Sequence, residues 1–432
     1  MRGTKFVTIA TSVSAALILG ATAGLYATMA SRSDATDDPT AGTHHTPRAV
    51  PAADPAELTL MSGVCVPTGD GLKLGITHDE HSIEKWDPQA VRTAGDTVLG
   101  DTPVYQNQFL MGWGAGNPEP SPGKYEWGRL DLRMATIADT GGTPVITLAG
   151  APDWMRGGKA GETDWSRLLR APTPDHYDDF ARLAAETARR YPQVKHYLVW
   201  SEMKGFWDTS RNTWDIEGYT TLYNKVYTAL KAVDPTIQVG GPYIVMTSWN
   251  NPAGVPSALD APWGHFDARV ADAIDYWLAH KVGADMIVVD GGSGARDADH
   301  PADAVAAARK FGDLTRWLRA RTDLPVWWSE IYPSVAPQDV ANDDQKAAAT
   351  VAAYRELAAA GAATAWIWSP QEFPDFDFAG LWKGPDTADP GNVTTLGKTW
   401  PVLAAELAAV PRCVGTSTPA TGQPTTAAVP GG

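Results

Sequence analysis

Short apolar runs alternate eight times with amphipathic helical segments along the central part of this chain. The predicted strands span residues 72–78, 104–111, 144–148, 195–202, 237–241, 286–290, 326–330 and 364–369. The run at 286–290 is apolar until its last residue, Asp290, as is typical of a parallel strand buried on both faces. Eight successive βα units within about 350 residues predict an α/β fold, a (β/α)8 TIM barrel that forms a single catalytic domain.

Helices are predicted between these strands from their apolar periodicity. In the segment 216–233, for example, Tyr219, Leu222 and Val226 recur on one helical face. An open, doubly wound sheet is the alternative architecture for such a pattern. That fold would need a nucleotide-binding loop, and neither a G-x-G-x-x-G motif nor a phosphate-binding loop motif follows any predicted strand. The barrel is therefore favoured.

The fourth and seventh predicted strands end on the same three residues, Trp200-Ser201-Glu202 and Trp328-Ser329-Glu330. In a parallel barrel the carboxyl ends of the strands form the active face. Hydrolysis of a glycosidic bond with retention requires two carboxyl groups about 5–5.5 Å apart. We therefore interpret Glu202 as the proton donor and later general base, and Glu330 as the nucleophile. One such Glu alone would more simply end a strand or pair with an arginine, but two in matching contexts favour catalysis.

The composition fits an exported enzyme that acts on a neutral polymer. The net charge of -15 and the pI near 5.0 argue against nucleic acid as a partner. The chain contains 18 tryptophans, which pack in cores but also stack on sugars, and so indicate a carbohydrate partner only weakly. We expect no cofactor and no metal. A metal-dependent hydrolase would need a cluster such as His-x-His after the first strand, and His78 stands there alone.

The two ends of the chain differ in composition from the centre. Arg2 and Lys5 precede an uncharged segment at 6–31, so residues 1–30 are predicted to be a signal peptide or an uncleaved signal anchor. Residues 31–57 are predicted to be a disordered linker, 58–414 the barrel domain, and 415–432 a disordered tail. The protein is accordingly expected to be secreted or extracellular, with membrane anchoring through the N-terminal segment as the alternative.

The chain has two cysteines, Cys65 and Cys413, at the two ends of the predicted domain. In an exported protein a pair is expected to be oxidised. A disulfide that closes so long a loop would contribute roughly 4–5 kcal/mol in the chain-entropy description. Two buried free thiols are the alternative.

Four segments in order carry a resemblance to a known family: Gly123-Lys124-Tyr125-Glu126-Trp127, Ala151-Pro152-Asp153-Trp154-Met155, Val199-Trp200-Ser201-Glu202 and Trp328-Ser329-Glu330. They resemble motifs of the clan A glycoside hydrolases, and most of all those of glycoside hydrolase family 39, the β-xylosidase and α-iduronidase group. The resemblance covers roughly residues 78–400. It implies a retaining (β/α)8 enzyme whose acid/base and nucleophile are Glu202 and Glu330.

The chain departs from the family's pattern at three places. Ser201 stands where the clan has an Asn that holds the sugar's 2-hydroxyl. Met203-Lys204-Gly205-Phe206-Trp207 replaces the usual Pro-Asn after the acid/base, and Asp290-Gly291-Gly292 replaces a His and an aromatic residue on the sixth strand. The resemblance therefore indicates the mechanism more firmly than the sugar.

Polar and aromatic residues at or near the predicted strand ends are candidates for binding substrate. They are His78, Gln106, Asn107, Trp154, Ser201, Asp290, Tyr332 and Trp368. We expect Asp290 to bind hydroxyls and Tyr332 to contact the nucleophile. By resemblance, Trp368 is expected to be a sugar platform. Core packing is the alternative for each tryptophan, and anchoring of a loop is the alternative for Tyr332.

Together these features predict a secreted retaining glycosidase that cleaves β-linked glycosides of a plant or bacterial polysaccharide or oligosaccharide. Endo action on a polysaccharide and exo action on xylosides or arabinosides both fit the sequence. The alternative is a catalytically impaired TIM-barrel protein that only binds glycans, which the replacement of the clan's Asn by Ser201 would support.

Overall fold

Eight parallel strands close into a barrel in this protein. The computed structural model describes residues 66–414 except 69, 80, 81, 252, 254, 255, 299 and 411. The barrel strands are β1 (Lys73–Thr77), β2 (Tyr105–Phe109), β3 (Thr143–Leu148), β4 (His196–Val199), β5 (Gln238–Val245), β6 (Met286–Gly292), β7 (Val326–Tyr332) and β8 (Thr364–Trp368). Each strand pairs with the strands that precede and follow it, and β8 pairs with β1 to close the ring. The predicted TIM barrel is confirmed.

The helices that follow these strands form the outer layer. They are α1 (Gln89–Asp101), α2 (Gly128–Asp139), α3 (Tyr177–Arg190), α4 (Ile216–Val233), α5 (Ala268–His280), α6 (Arg309–Arg319), α7 (Asp343–Ala360) and α8 (Thr395–Ala409). The helical segment after β6 is divided, because a short helix at Ala304–Ala307, capped by Asp303, precedes α6. Short 3-10 turns lie at Asp153–Arg156, Trp165–Arg167, Pro174–His176 and Pro337–Asp339.

Large side chains fill the barrel and the space around it. Tyr105, Trp327 and Trp366 pack against one another inside the barrel, with ring centroids 5.2–6.0 Å apart. The next residue on β7, Trp328, packs outward against Phe311 of α6. Many of the tryptophans thus serve the core. Six are almost completely buried: Trp200, Trp277, Trp328, Trp366, Trp382 and Trp400.

Additional short strands lie in loops at the carboxyl end of the barrel, where the sequence predicted none. Trp207–Asp208 pairs with Thr213–Trp214 after β4, and Gln371–Glu372 pairs with Trp382–Lys383 after β8. After β5, a three-stranded sheet forms from Ser248–Trp249, Ser257–Ala261 and Gly264–Asp267. These pairings stiffen the loops that surround the barrel mouth.

The two ends of the described chain lie together, since Val66–Thr68 pairs antiparallel with Arg412–Val414 and places Pro67 opposite Cys413. Cys65 lies outside the described residues, so the Cys65–Cys413 disulfide stays a prediction. The predicted segments 1–30, 31–57 and 415–432 also lie outside them. Within the described part of the chain, no helix has the length and apolarity needed to cross a bilayer.

Candidate active site

Glu202 is presented by a tight turn directly after β4. The strand ends at Val199, three residues before the predicted end, because Trp200 adopts a left-handed conformation with φ of 67°. Glu202 and Met203 are also left-handed, with φ of 52° and 49°. Such conformations cost about 1–3 kcal/mol each for residues with a side chain. The buried Trp200 indole holds the turn by donating to the Lys204 carbonyl oxygen at 2.6 Å.

Glu330 lies on β7 and is 2 % exposed. Both of its carboxylate oxygens accept hydrogen bonds from tyrosines. The Tyr243 hydroxyl on β5 donates to Oε1 at 2.5 Å, and the Tyr332 hydroxyl donates to Oε2. Two donors fix the carboxylate and favour its ionised form, as a nucleophile requires. The predicted contact between Tyr332 and Glu330 is present in the structure.

Asp290 joins the two glutamates as a third carboxylate. It lies on β6 in register with Glu330 on β7 and is 1 % exposed. One carboxylate oxygen from each of Glu202, Asp290 and Glu330 can be chosen so that all three lie within 4.8 Å of one another. In the described part of the chain, this is the one group of acidic, His or Cys side chains that converges closely enough to hold a cation.

Lys204 brings a positive charge to this group. Its Nζ lies 2.9 Å from Oε2 of Glu202, and its side chain is about one-third exposed. Desolvation acts to lower the pKa of Lys204, but the charges of Glu202, Glu330 and Asp290 outweigh it and hold that pKa above its usual value. Lys204 therefore remains a cation and neutralises one of the three carboxylates.

Three carboxylates this close cannot all be ionised at neutral pH. Burial, followed by the charges of Glu202 and Glu330, raises the pKa of Asp290 well above its usual range. Burial and then the charge of Glu202 raise the pKa of Glu330 to about 7, against the opposing hydrogen bonds of Tyr243 and Tyr332. Because Glu330 has two hydrogen-bond donors and Asp290 has none among the described residues, we assign the retained proton to Asp290 first.

Aromatic rings line the site on the side of β7 and β8. Trp368 is partly exposed at the end of β8, and its ring centroid lies 6.3 Å from that of Tyr332. Phe378 packs edge-on against Tyr332 at 5.3 Å, and Phe376 stacks against Trp368 at 6.4 Å. This arrangement leaves Trp368 able to offer a ring face to a sugar.

The other predicted substrate-binding residues make contacts within the protein. His78 Nε2 lies 2.9 Å from Oε1 of Gln106, and Nε2 of Gln106 donates to Thr140. Burial lowers the pKa of His78 to about 3, so its imidazole is neutral. Asn107 donates to Thr77 and accepts from Thr147, its neighbours on adjacent barrel strands.

Trp154 and Ser201 are also largely enclosed. The Trp154 indole donates to the Glu119 carbonyl oxygen at 2.9 Å, and its ring is 9 % exposed. Ser201 is 2 % exposed, and its carbonyl oxygen accepts from the Lys204 amide. The structure thus brings Glu202, Asp290, Glu330, Tyr332 and Trp368 together, whereas His78, Gln106, Asn107 and Trp154 use their polar groups elsewhere.

Tyr243 is a site residue that the sequence analysis missed. The fifth strand was predicted to end at Gly241, but it runs through Pro242 and Tyr243 to Val245. Tyr243 is completely buried and left-handed, with φ of 52°. A tyrosine directly after Gly240-Gly241-Pro242 at the carboxyl end of a barrel strand is the signal that would have marked it.

The sequence profile of Glycosyl hydrolases family 39 matches residues 123–362, more than half of the chain. The chain is 24 % identical over 228 residues to a protein named Beta-xylosidase from Caldicellulosiruptor saccharolyticus, and the match covers 50 % of this chain. It covers 42 % of that relative, so the chain spans less than half of the relative's length.

Two solved structures of the same family share the fold. A GH39 beta-xylosidase from Caulobacter crescentus superposes with a TM-score of 0.51 at 18 % identity, over 80 % of this chain and 73 % of that one. The GH39 enzyme from Xanthomonas axonopodis pv. citri gives 0.52 at 17 % identity, over 80 % of this chain and 68 % of that one. The match to the family profile, together with the closed barrel, shows that this chain belongs to glycosyl hydrolases family 39, a retaining family of clan A.

Proposed function

We propose that this chain is an exported retaining glycoside hydrolase that cleaves β-linked glycosides of a plant or bacterial polysaccharide or oligosaccharide. The observation that carries the proposal is the approach of the Glu202 and Glu330 carboxylates to within 4.8 Å. A separation of about 5–5.5 Å is typical of retention, whereas about 6.5–9.5 Å is needed to place a water for inversion.

In the first step, Glu330 attacks the anomeric carbon while Glu202 donates its proton to the glycosidic oxygen. The bond to the leaving group breaks, an alcohol departs, and a glycosyl ester forms on Glu330. In the second step, Glu202 removes a proton from water, which attacks the same carbon and releases Glu330 as a carboxylate. Two inversions return the sugar with its original anomeric configuration.

The tyrosines and the exposure of the two glutamates support this division of roles. Tyr243 and Tyr332 hold both oxygens of Glu330, so its carboxylate has a fixed direction of attack. The Glu202 side chain is 17 % exposed, whereas Glu330 is buried. An acid/base must exchange its proton with water between the two steps, and the more accessible carboxyl group suits that role.

A β-xyloside is the first substrate to test, because the curated relative is named a beta-xylosidase. The panel should also contain β-linked glucosides, mannosides and arabinosides, both as aryl glycosides and as polysaccharides. Release from internal positions of a polysaccharide would show endo action, and release of monosaccharides would show exo action.

One observation favours the second candidate function, a glycan-binding barrel without turnover. Lys204 Nζ lies 2.9 Å from Oε2 of Glu202, so the carboxyl group proposed as the proton donor is engaged in an ion pair in this structure. Sugar binding without any product release in the wild-type protein would support this reading.

The deciding experiment measures reducing-sugar release by the wild type beside Glu330→Gln and Glu406→Gln. Glu406 pairs with Arg355 on the surface of the outer helices, so its variant is a matched control for loss of one carboxylate. We expect release by the wild type and the control, and none by Glu330→Gln. NMR of the first product should show the β-anomer. The α-anomer as first product would contradict retention.

A further inference from the structure

Asp290 differs from the other two carboxylates at the site in having no hydrogen-bond partner. Neither of its side-chain oxygens has one among the described residues, although the residue is 1 % exposed. Glu202 has Lys204, and Glu330 has two tyrosine hydroxyls. A buried polar group without a partner costs free energy unless a ligand supplies one. Asp290 lies beside the two catalytic glutamates, so a bound substrate can supply the missing donor.

The excess negative charge at the site also favours a ligand that brings a hydrogen-bond donor to Asp290. Glu202, Asp290 and Glu330 together exceed the single positive charge that Lys204 brings to them. The protein reduces this excess by keeping Asp290 protonated, because burial and the two glutamates raise its pKa. A ligand that carries its own positive charge would let Asp290 ionise and accept a charge-assisted hydrogen bond, which is roughly twice as strong as a neutral one.

We propose that the site takes a sugar that carries a protonated amino group, and that Asp290 receives this group as a specificity-determining residue. The inference rests on the proposed glycosidase function and names the chemical class of its substrate, an amino sugar with an unacetylated amine. The ammonium group donates to the unpartnered oxygens of Asp290 while Glu202 and Glu330 act on the glycosidic bond.

An ammonium group suits this site better than a metal ion does. Lys204 already places an ammonium group 2.9 Å from Glu202, so the carboxylate cluster accommodates that chemistry. Both oxygens of Glu330 accept from tyrosine hydroxyls, whose protons would face a metal bound to the same oxygens. A metal ion held by Glu202 and Glu330 would also occupy the two groups that must reach the substrate.

The aromatic lining is compatible with a cation as well. Tyr332 and Trp368 lie side by side next to Glu330, with ring centroids 6.3 Å apart. Ring faces attract cations within about 6 Å of their centroids. A charged sugar bound here can therefore contact both carboxylates and aromatic rings, and both kinds of group favour it over a neutral sugar of the same shape.

The test compares matched sugars on the full wild-type chain by titration calorimetry. The probes are glucose and galactose derivatives that carry one amine at successive ring positions, their N-acetylated forms, and the parent sugars. We expect at least one amine to bind about tenfold or more tightly than both its neutral counterparts, as a charge-assisted contact requires. Equal binding of charged and neutral members throughout the series would overturn the proposal.

Two variants locate the preference within the site. Asp290→Asn keeps the shape and removes the charge, so the preference for the amine over its neutral counterparts should fall to about twofold or less. Lys204→Met removes the competing ammonium group and should enlarge the preference. If Asp290→Asn does not fold, the wild-type series together with Lys204→Met decides the question. A preference that survives in folded Asp290→Asn would overturn the assignment to Asp290.

Three further outcomes separate the possible failures. Titration with Ca²⁺ and Mn²⁺ that shows Asp290-dependent metal binding, without any preference for amines, would replace the proposal with a metal site. Hydrolysis of neutral glycosides without a preference for amino sugars would overturn this inference and leave the glycosidase standing. An absence of both hydrolysis and binding for every sugar would overturn the proposed function together with it.

Discussion

Asp290 and Glu330 are register partners on adjacent parallel strands, so a third carboxylate lies beside the proposed nucleophile. Neighbouring strands run about 4.8 Å apart, which fixes this proximity in the barrel backbone rather than in a mobile loop. Burial of Glu330 and the charge of Glu202 raise the pKa of Glu330 to about 7, and the charge of Glu330 in turn raises the pKa of Asp290. Stability and catalysis should therefore both depend on pH near neutrality.

The variant Glu330→Gln should be more stable than the wild type at about pH 8, and the difference should shrink at about pH 5. With a pKa raised to about 7, folded Glu330 binds a proton more tightly than the unfolded chain does. Its contribution to stability is thus present at low pH and is lost as the pH rises through about 7. The gain at high pH is on the order of 3 kcal/mol. Denaturant unfolding of both proteins at the two pH values measures this difference in the free energy of unfolding. A difference that does not change with pH would contradict the prediction.

Tyr243→Phe should lower kcat roughly ten- to hundred-fold, because a hydrogen bond to a charged group contributes about 1.5–3 kcal/mol. The Tyr243 hydroxyl donates to Glu330 at 2.5 Å and opposes the rise in the pKa of Glu330. The acidic limb of the kcat/KM profile should therefore move to higher pH. Tyr227→Phe, on the outer helix α4, is the matched control. A lower kcat with an unmoved profile would count against a direct contact with the nucleophile.

Lys204→Met should also move the acidic limb of the kcat/KM profile to higher pH. The ammonium group of Lys204 lowers the pKa of both Glu330 and Asp290, so its removal favours their protonated forms. Lys225→Met, which removes an exposed lysine paired with Asp178, should leave the profile unchanged. Profiles of wild type and Lys204→Met that coincide would show that Lys204 does not act on the carboxylates.

Glu372→Gln should destabilise the protein by about 3 kcal/mol, because the buried Lys346 loses its close carboxylate and keeps only Asp343, whose Oδ1 lies 3.7 Å away. Glu372 accepts from both Lys346 and Lys383 at 2.6 Å, and Lys346 is 2 % exposed. Breaking the exposed Arg355–Glu406 pair by Glu406→Gln should lower stability much less, because water screens the two charges. Thermal unfolding of both variants makes the comparison. Equal small losses would show that the buried network contributes little.

The Cys65–Cys413 disulfide should be present in protein made under oxidising conditions. Pro67 pairs with Cys413, which brings the two ends of the domain together. Cys65 precedes Pro67 by two residues in the sequence. We expect no reactive thiol before reduction and two afterwards, and a lower melting temperature for reduced protein. Thiol titration under denaturing conditions measures this. Two thiols that titrate without reductant would establish free cysteines instead.

Local sequence patterns were sufficient to predict the barrel and the placement of its main carboxylates. Helix α4 begins and ends at the predicted residues 216 and 233, because local groups define the ends of such helices. Asp215 caps α4, while Asn342 and Gly361 cap the two ends of α7. The sequence placed Glu202, Asp290 and Glu330 at predicted strand ends in the same local way, since each follows an apolar run either directly or after one serine. Patterns within a few residues are sufficient for predictions of this kind.

The side chains that contact those carboxylates come from distant parts of the chain, so they could be identified only in the folded structure. Tyr243 and Glu330 are 87 residues apart in the chain and touch because the barrel closes with β5, β6 and β7 side by side. In the left-handed turn that carries Glu202, Trp200 packs against Phe180 and Phe206, which come from other parts of the chain. Such contacts depend on strand register and on burial, and neither can be predicted from a short stretch of sequence. The lack of a hydrogen-bond partner for the Asp290 carboxylate among the described residues likewise depends on where all the neighbouring groups lie.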